Sequence, residues 1–208
     1  LEAGETADCA VISLEMLAYG GLVASRTAAV VLTDVLKRLD VINELHSRYP
    51  HLRIFLSSVI MRSSITVSSD ATRKYWELVN QFSILADREG ADAPETRKVK
   101  DQIPEKVLAE YLKARGRNHA VNQAALEFVR TGDAEFLVFS QEDAANYGFH
   151  KREQKQLQEN LIKLQLGDRA LLTTGGDEIM TDLVARAADT GRKFEIISHP
   201  DAGKTTLT

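Results

Sequence analysis

The chain has a single cysteine, Cys9, in 208 residues. No disulfide can form within the chain, and no cysteine-rich zinc site can be built. Cys9 lies in an apolar run and reads as a small buried side chain rather than a nucleophile. Histidine is also sparse, at five copies. If a metal is needed, a hard divalent cation with oxygen ligands, magnesium or manganese, therefore fits better than zinc. No apolar run approaches the roughly 20 residues of a membrane helix, and no signal peptide is visible. Nor is there an excess of basic charge. With 26 Lys and Arg against 30 Asp and Glu, the net charge is −4, and the positive field that general nucleic-acid binding requires is missing. These absences leave a small-molecule substrate as the expected partner, with neither nucleic acid nor membrane, and a cytoplasmic location. They say nothing of oligomeric state. The chain starts at Leu1 without Met and reads as a piece of a longer protein.

What is present is an alternation of strands and helices. Hydrophobic residues make up 44% and charged residues 27%, the balance of a folded chain. Apolar runs predict strands at about 8–14, 52–60, 134–140, 169–174 and 194–197. Between them, helical spacing predicts helices at about 28–48, 70–89, 150–165 and 177–190. From 94 to about 131 the chain is also helical, with Pro104 at a helix start and Gly132 at an end. The segment from Ala18 to Thr27, with Gly20-Gly21, reads as a loop feeding a helix. Strands alternating with helices predict parallel pairing and right-handed crossovers. The expectation is one α/β domain over 1–208, with a mostly parallel sheet of about five strands, flanking helices and a helical insertion near 90–131.

Several of these strands run into acids. Cys9 to Leu14 is followed by Glu15, Phe136 to Ser140 by Gln141-Glu142-Asp143, and Ala170 to Thr174 by Gly175-Gly176-Asp177-Glu178. Ligands of open α/β sheets bind at the carboxyl ends of strands, so these acids are expected to converge there. Adjacent carboxylates can exchange protons or hold a cation, and Tyr147 and His150 follow in the same stretch. Acids in the first turn of a helix are also ordinary caps. On the long helical stretch, Asn118 and Asn122 are four apart and share one face, and Arg115 sits one turn before His119. With Arg117, such a row can clamp a carboxylate or phosphate. Tyr19, Gly20 and Arg26 offer polar contacts over a flexible backbone after the first strand, and Arg62 follows the second. No dinucleotide fingerprint is present.

Ser13 to Leu22 with Ser25-Arg26, Met61-Arg62, Arg117-Asn118-His119 with Asn122, Gln141 to Ala144 with Tyr147-Gly148 and His150, and Gly175 to Glu178 occur in that order. Together they resemble the motifs of a bacterial family known as domain of unknown function 4127. The family more often has Asp where Glu15 and Glu142 stand, and its members are longer at both ends. The resemblance implies that these motif residues belong together, and it implies no activity. A second string, Ser198-His199-Pro200-Asp201-Ala202-Gly203-Lys204-Thr205-Thr206, resembles the phosphate loop of translational GTPases, most closely the peptide chain release factor GTPase. It has Ser198 where the pattern begins with Gly, and the chain ends at Thr208 before the helix that must follow.

The expected function is that of a hydrolase-like enzyme acting on a small polar or carbohydrate-like substrate. Glu142 and Asp143 would be the acid/base or metal-binding pair, Asp177 or Glu178 the second carboxylate, and His150 a further catalytic group. Glu15, Tyr19, Gly20, Arg26, Arg62, Arg117, Asn118, His119, Asn122, Gln141 and Tyr147 would bind substrate. The alternatives are a non-catalytic module binding a sugar or other polar ligand, and a nucleotide-binding fragment built on Lys204.

Overall fold

The computed structural model describes residues 2–66, 70–141, 145–175, 178–189 and 194–197. In these the chain forms β1 (Cys9–Ser13), α1 (Leu14–Tyr19), α2 (Leu22–Ser25), α3 (Leu32–Arg48), β2 (Arg53–Ile60), α4 (Asp70–Arg88), α5 (Pro94–Lys100), α6 (Glu105–Thr131), β3 (Phe136–Gln141), α7 (Phe149–Lys163), β4 (Ala170–Thr174), α8 (Glu178–Ala188) and β5 (Phe194–Ile197). The five strands form one parallel sheet in the order β4-β3-β2-β1-β5.

This order fixes where the helices lie. From β1 to β4 the chain steps across the sheet in one direction, so right-handed crossovers carry the connections over one face. α3, α6 and α7 lie there, packing Leu39, Leu126 and Leu157 onto Ala10, Ile12, Leu56 and Phe139. The step from β4 back to β5 reverses direction and puts α8 on the other face, with Leu183 and Ala187 against Cys9, Val11 and Phe55. Successive residues of β1 thus serve opposite cores, which is why the strand is apolar throughout rather than alternating. Cys9 is fully buried in the second of these cores and has the small structural role its context predicts.

A third core lies beside the sheet. Val79, Phe82 and Ala86 of α4, Val99 of α5, and Leu108, Tyr111 and Ala114 of α6 pack together with Met61. α6 has 27 residues and spans about 40 Å. Its first half belongs to this helical core, and its second half lies on the sheet. The middle of α6, from Arg115 to Asn122, therefore sits at the junction, beside the chain that leaves β2.

The stretch after β1 differs from the loop the sequence suggests. The Ser13 hydroxyl accepts a hydrogen bond from the Met16 amide at 3.4 Å, starting a six-residue helix without delay. Gly20 ends it at φ 81°, a conformation that favours glycine. Arg38 of α3 donates to the Ala18 carbonyl at 2.6 Å and supplies a partner at that helix end. α3 begins at Leu32 rather than 28, because the chain bends after α2 and is extended at Val31, the residue that precedes the helix.

Candidate functional site

β1, β2 and β3 end side by side, and the chain leaving β1 and β2 meets the middle of α6. Sequence reversal in the strand order falls at β1, since β2 lies on one side of it and β5 on the other. Such a switch point is where open α/β sheets bind ligands. Glu15 stands there, in the first turn of α1.

The Glu15 carboxyl is buried, with Oε1 accepting from the Val59 amide at 2.8 Å and lying 3.4 Å from the Ser58 hydroxyl. Ser58 in turn donates to Asn122 Oδ1 at 2.8 Å, and Asn122 Nδ2 lies 3.4 Å from the Val59 carbonyl. The other oxygen, Oε2, is buried without a hydrogen-bond partner. Burial pushes this carboxyl up to about 7, against the opposing pull of the Val59 amide. Burial without a countercharge disfavours the ionised form, so Glu15 titrates where a general acid or base works best.

One turn along α1, Tyr19 faces the same interior. Its hydroxyl is buried and donates to no partner, and burial raises its pKa to about 12 although the charge and N–H of the Arg117 guanidinium pull it down. The Arg117 guanidinium lies over the Tyr19 ring, 4.4 Å from its centre. Arg117 donates from Nη1 to the Val30 carbonyl at 2.8 Å and from Nη2 to the Ser25 carbonyl. Asn118 Nδ2 donates to the same Ser25 carbonyl at 2.7 Å and lies 3.0 Å from the Ala114 carbonyl. These two residues hold the α2 loop against α6.

A second polar network lies where α6 meets α7. Arg115 forms a two-pronged ion pair with Glu153, Nε to Oε1 at 2.7 Å and Nη2 to Oε2 at 3.0 Å. The same guanidinium donates to the carbonyls of Met61 and Arg62 and to the Tyr111 hydroxyl. Tyr111 passes a hydrogen bond on to the Ser63 carbonyl at 2.7 Å. The Ser63 hydroxyl meets His150 Nδ1, and His150 Nε2 lies 3.0 Å from the Ala145 carbonyl. A carbonyl only accepts, so Nε2 carries a proton, and in the neutral ring Nδ1 accepts from Ser63. Burial raises the Glu153 pKa, while Arg115 pulls it down.

A family described as protein of unknown function (DUF4127) matches residues 1–205. The chain belongs to this family. No curated protein and no solved structure matches it.

In this member of the family of unknown function, the motif residues fall into separate groups. Glu15, Tyr19, Arg117, Asn118 and Asn122 are all buried around the end of β1 and the middle of α6. Gly20 is the exposed cap of α1, and Arg26 follows α2 half-buried. Arg62 is half-buried after β2, with Nη2 donating to the Ile65 carbonyl at 3.3 Å. Gln141 is buried at the end of β3 and His150 in the second network, whereas Tyr147 is exposed. His119 is half-buried beside Gln123, and burial lowers its pKa.

Glu178 is exposed in the first turn of α8, and its carboxylate folds back on Gly175. It follows β4, which β2 and β3 separate from β1, so strand spacing alone sets these ends about 14 Å apart. The structure does not bring Glu178 to Glu15. Glu142, Asp143, Asp177 and the 198–206 string with Lys204 lie outside the described residues. Among the described residues, no group of three His, Cys, Asp or Glu side chains is placed to hold a metal ion, and no helix is long and apolar enough to cross a membrane. A hollow of about 240 Å³ between α3 and α6 is lined by Asn43, Glu127, Thr131 and Asp133, beside the α6 end that precedes β3 and so away from Glu15.

Sequence reasoning missed Ser58, Ser63, Tyr111 and Glu153. Ser58 and its neighbour Ser57 are the only hydroxyls within β2, and a hydroxyl in a buried strand needs a partner. That was the available signal for Ser58. Glu153 carries none, because it is one of several charged residues in a polar helix.

Proposed function

We propose that this protein is a hydrolase acting on a small polar substrate at the carboxyl end of β1, with Glu15 as its proton-exchanging group. The observation that carries this reading is the Glu15 carboxyl, buried with Oε2 unpartnered and a pKa raised to about 7. Perturbed carboxyls at strand ends are the mark of acid/base sites. The Val59 amide fixes Oε1, which leaves Oε2 to act. In its neutral form Glu15 gives a proton to the leaving oxygen as the scissile bond breaks. Water adds to the other fragment, and the proton it releases restores the acid. Glu142 and Asp143, which directly follow Gln141 in the sequence, supply the second carboxylate in this reading. Any magnesium or manganese would be held by those acids and by Asp177.

The test is a panel of chromogenic glycosides, esters and phosphate esters assayed across neutral pH with the wild type and Glu15→Gln. One substrate class is expected to turn over, with kcat falling by about 10²–10⁴ in Glu15→Gln while the circular dichroism spectrum is unchanged. Equal turnover by the two proteins overturns the assignment of Glu15. No turnover on any class overturns the hydrolase.

A further inference from the structure

Arg117 presents an unusual combination. It is 6% exposed, yet its hydrogen bonds go to backbone carbonyls, and no carboxylate among the described residues pairs with it. Buried charges in proteins are paired or bound to an ion. Its Nε is buried without a partner, as is the hydroxyl of Tyr19, over whose ring it stacks. The guanidinium also interacts with the Tyr19 hydroxyl oxygen, so Arg117 Nε–H and the proton of that hydroxyl stand together beside a charge that no carboxylate among the described residues balances. Glu15, whose Oε2 is also unspent, lies one turn from Tyr19 on α1. A third unspent donor, Arg62 Nε, is buried on the chain leaving β2, next to Met61, whose sulfur lies 3.5 Å from Asn118 Nδ2.

We propose that Arg117 and Tyr19 bind an anionic group of the substrate, a carboxylate or a phosphate, so that the bond to be broken faces Glu15. This rests on the site read above as a hydrolase and names its substrate class. The chemistry is specific. Arg117 Nε–H only donates and the Tyr19 hydroxyl has a proton to donate, so a group that accepts from both, as anionic oxygens do, satisfies them and balances the charge. A neutral sugar hydroxyl would leave the guanidinium charge unbalanced in a buried place. The guanidinium is held ready, because Ser25 and Val30 fix its two terminal nitrogens and the Tyr19 ring fixes its plane. Little ordering remains to be done on binding.

The experiment is calorimetric titration of the full chain with inorganic phosphate and with acetate, in chloride of matched ionic strength. Variants are Tyr19→Phe, which removes only the hydroxyl, Arg117→Lys, which keeps the charge but loses Nε, and Arg130→Lys on the exposed part of α6 as a control. Saturable binding of phosphate or acetate is expected, weakened by about tenfold or more in Tyr19→Phe and Arg117→Lys and unchanged in Arg130→Lys. Saturation by phosphate alone assigns a phosphate group, and by acetate alone a carboxylate. Absence of saturation, or equal affinity in both site variants, overturns the anion site whatever Glu15→Gln does to turnover. Retained anion binding with unchanged turnover in Glu15→Gln overturns the assignment of Glu15 and leaves the anion site standing, and retained anion binding with no turnover on any substrate class overturns the hydrolase.

Discussion

Two arginines two residues apart on α6 are buried to nearly the same degree and live in opposite circumstances. Arg115 is matched by Glu153, three carbonyl or hydroxyl oxygens and the rings of Tyr111 and Phe149. Arg117 has two carbonyls and one ring, with no anion among the described residues. Burial is the same and satisfaction is not. A complete network is an investment in rigidity, whereas an incomplete one is the kind of place where a ligand finishes the set. The difference separates a structural clamp from a candidate site without appeal to exposure.

The comparison breaks most visibly at Arg115. Arg115→Ala leaves Glu153 buried and alone, and chemical denaturation should show a loss of about 3–5 kcal/mol. Next comes the pH profile of stability. Glu15 binds its proton more tightly in the folded chain, with its pKa raised from 4.5 to about 7, so the stability it contributes is present below pH 4.5 and is lost as pH rises through about 7. The shift corresponds to about 3 kcal/mol. Denaturation of Glu15→Gln across this range should therefore fall less with rising pH than that of the wild type, by about that amount, with the Glu153 contribution common to both. A parallel profile for the two proteins would mean that Glu15 is solvated. Gly148 has φ 138°, and a Cβ there would come within 2.8 Å of the His150 ring and closer still to the Ser63 hydroxyl. Gly148→Ala should lower stability by about 1–3 kcal/mol in thermal unfolding.

The smallest effect is the sharpest contrast, because one chemical change is made in both places. Tyr111→Phe removes a hydroxyl that donates to the Ser63 carbonyl and accepts from Arg115, and should cost about 1–2 kcal/mol. Tyr19→Phe removes a hydroxyl with no partner and should be nearly neutral in the absence of ligand. A substantial cost at Tyr19 would show that its hydroxyl is already satisfied.

The strands were readable within a residue or two because each is a short apolar run between breakers, and the order of faces follows from crossover handedness once the strands pair. α1 was not readable. Six residues are too few to show a period, and Leu14 to Tyr19 continues the apolar character of β1. Asn118 and Asn122 were visible as one helix face, because polar residues in a helix that must be buried stand out. Their partners were not, since the Ser25 and Val59 carbonyls are backbone atoms that no residue type announces. Glu15 is one of several acids that follow strands, and its burial depends on β2 lying alongside and on α6 crossing over it. That is tertiary information, carried by no window of sequence.

The start of α7 has a consequence for how the chain comes to be folded. No residue of α7's own supplies a side-chain cap. Its first amides, on Gly148 and Phe149, donate instead to Asp87 and Ser83 of α4, more than sixty positions earlier in the chain. The helix that carries the chain from β3 to β4 is thus finished by the helical core beside the sheet. Excising the helical core would strip these two amides of their partners, at a cost of about 1 kcal/mol each, so the two parts are bound together through a helix start that neither completes alone.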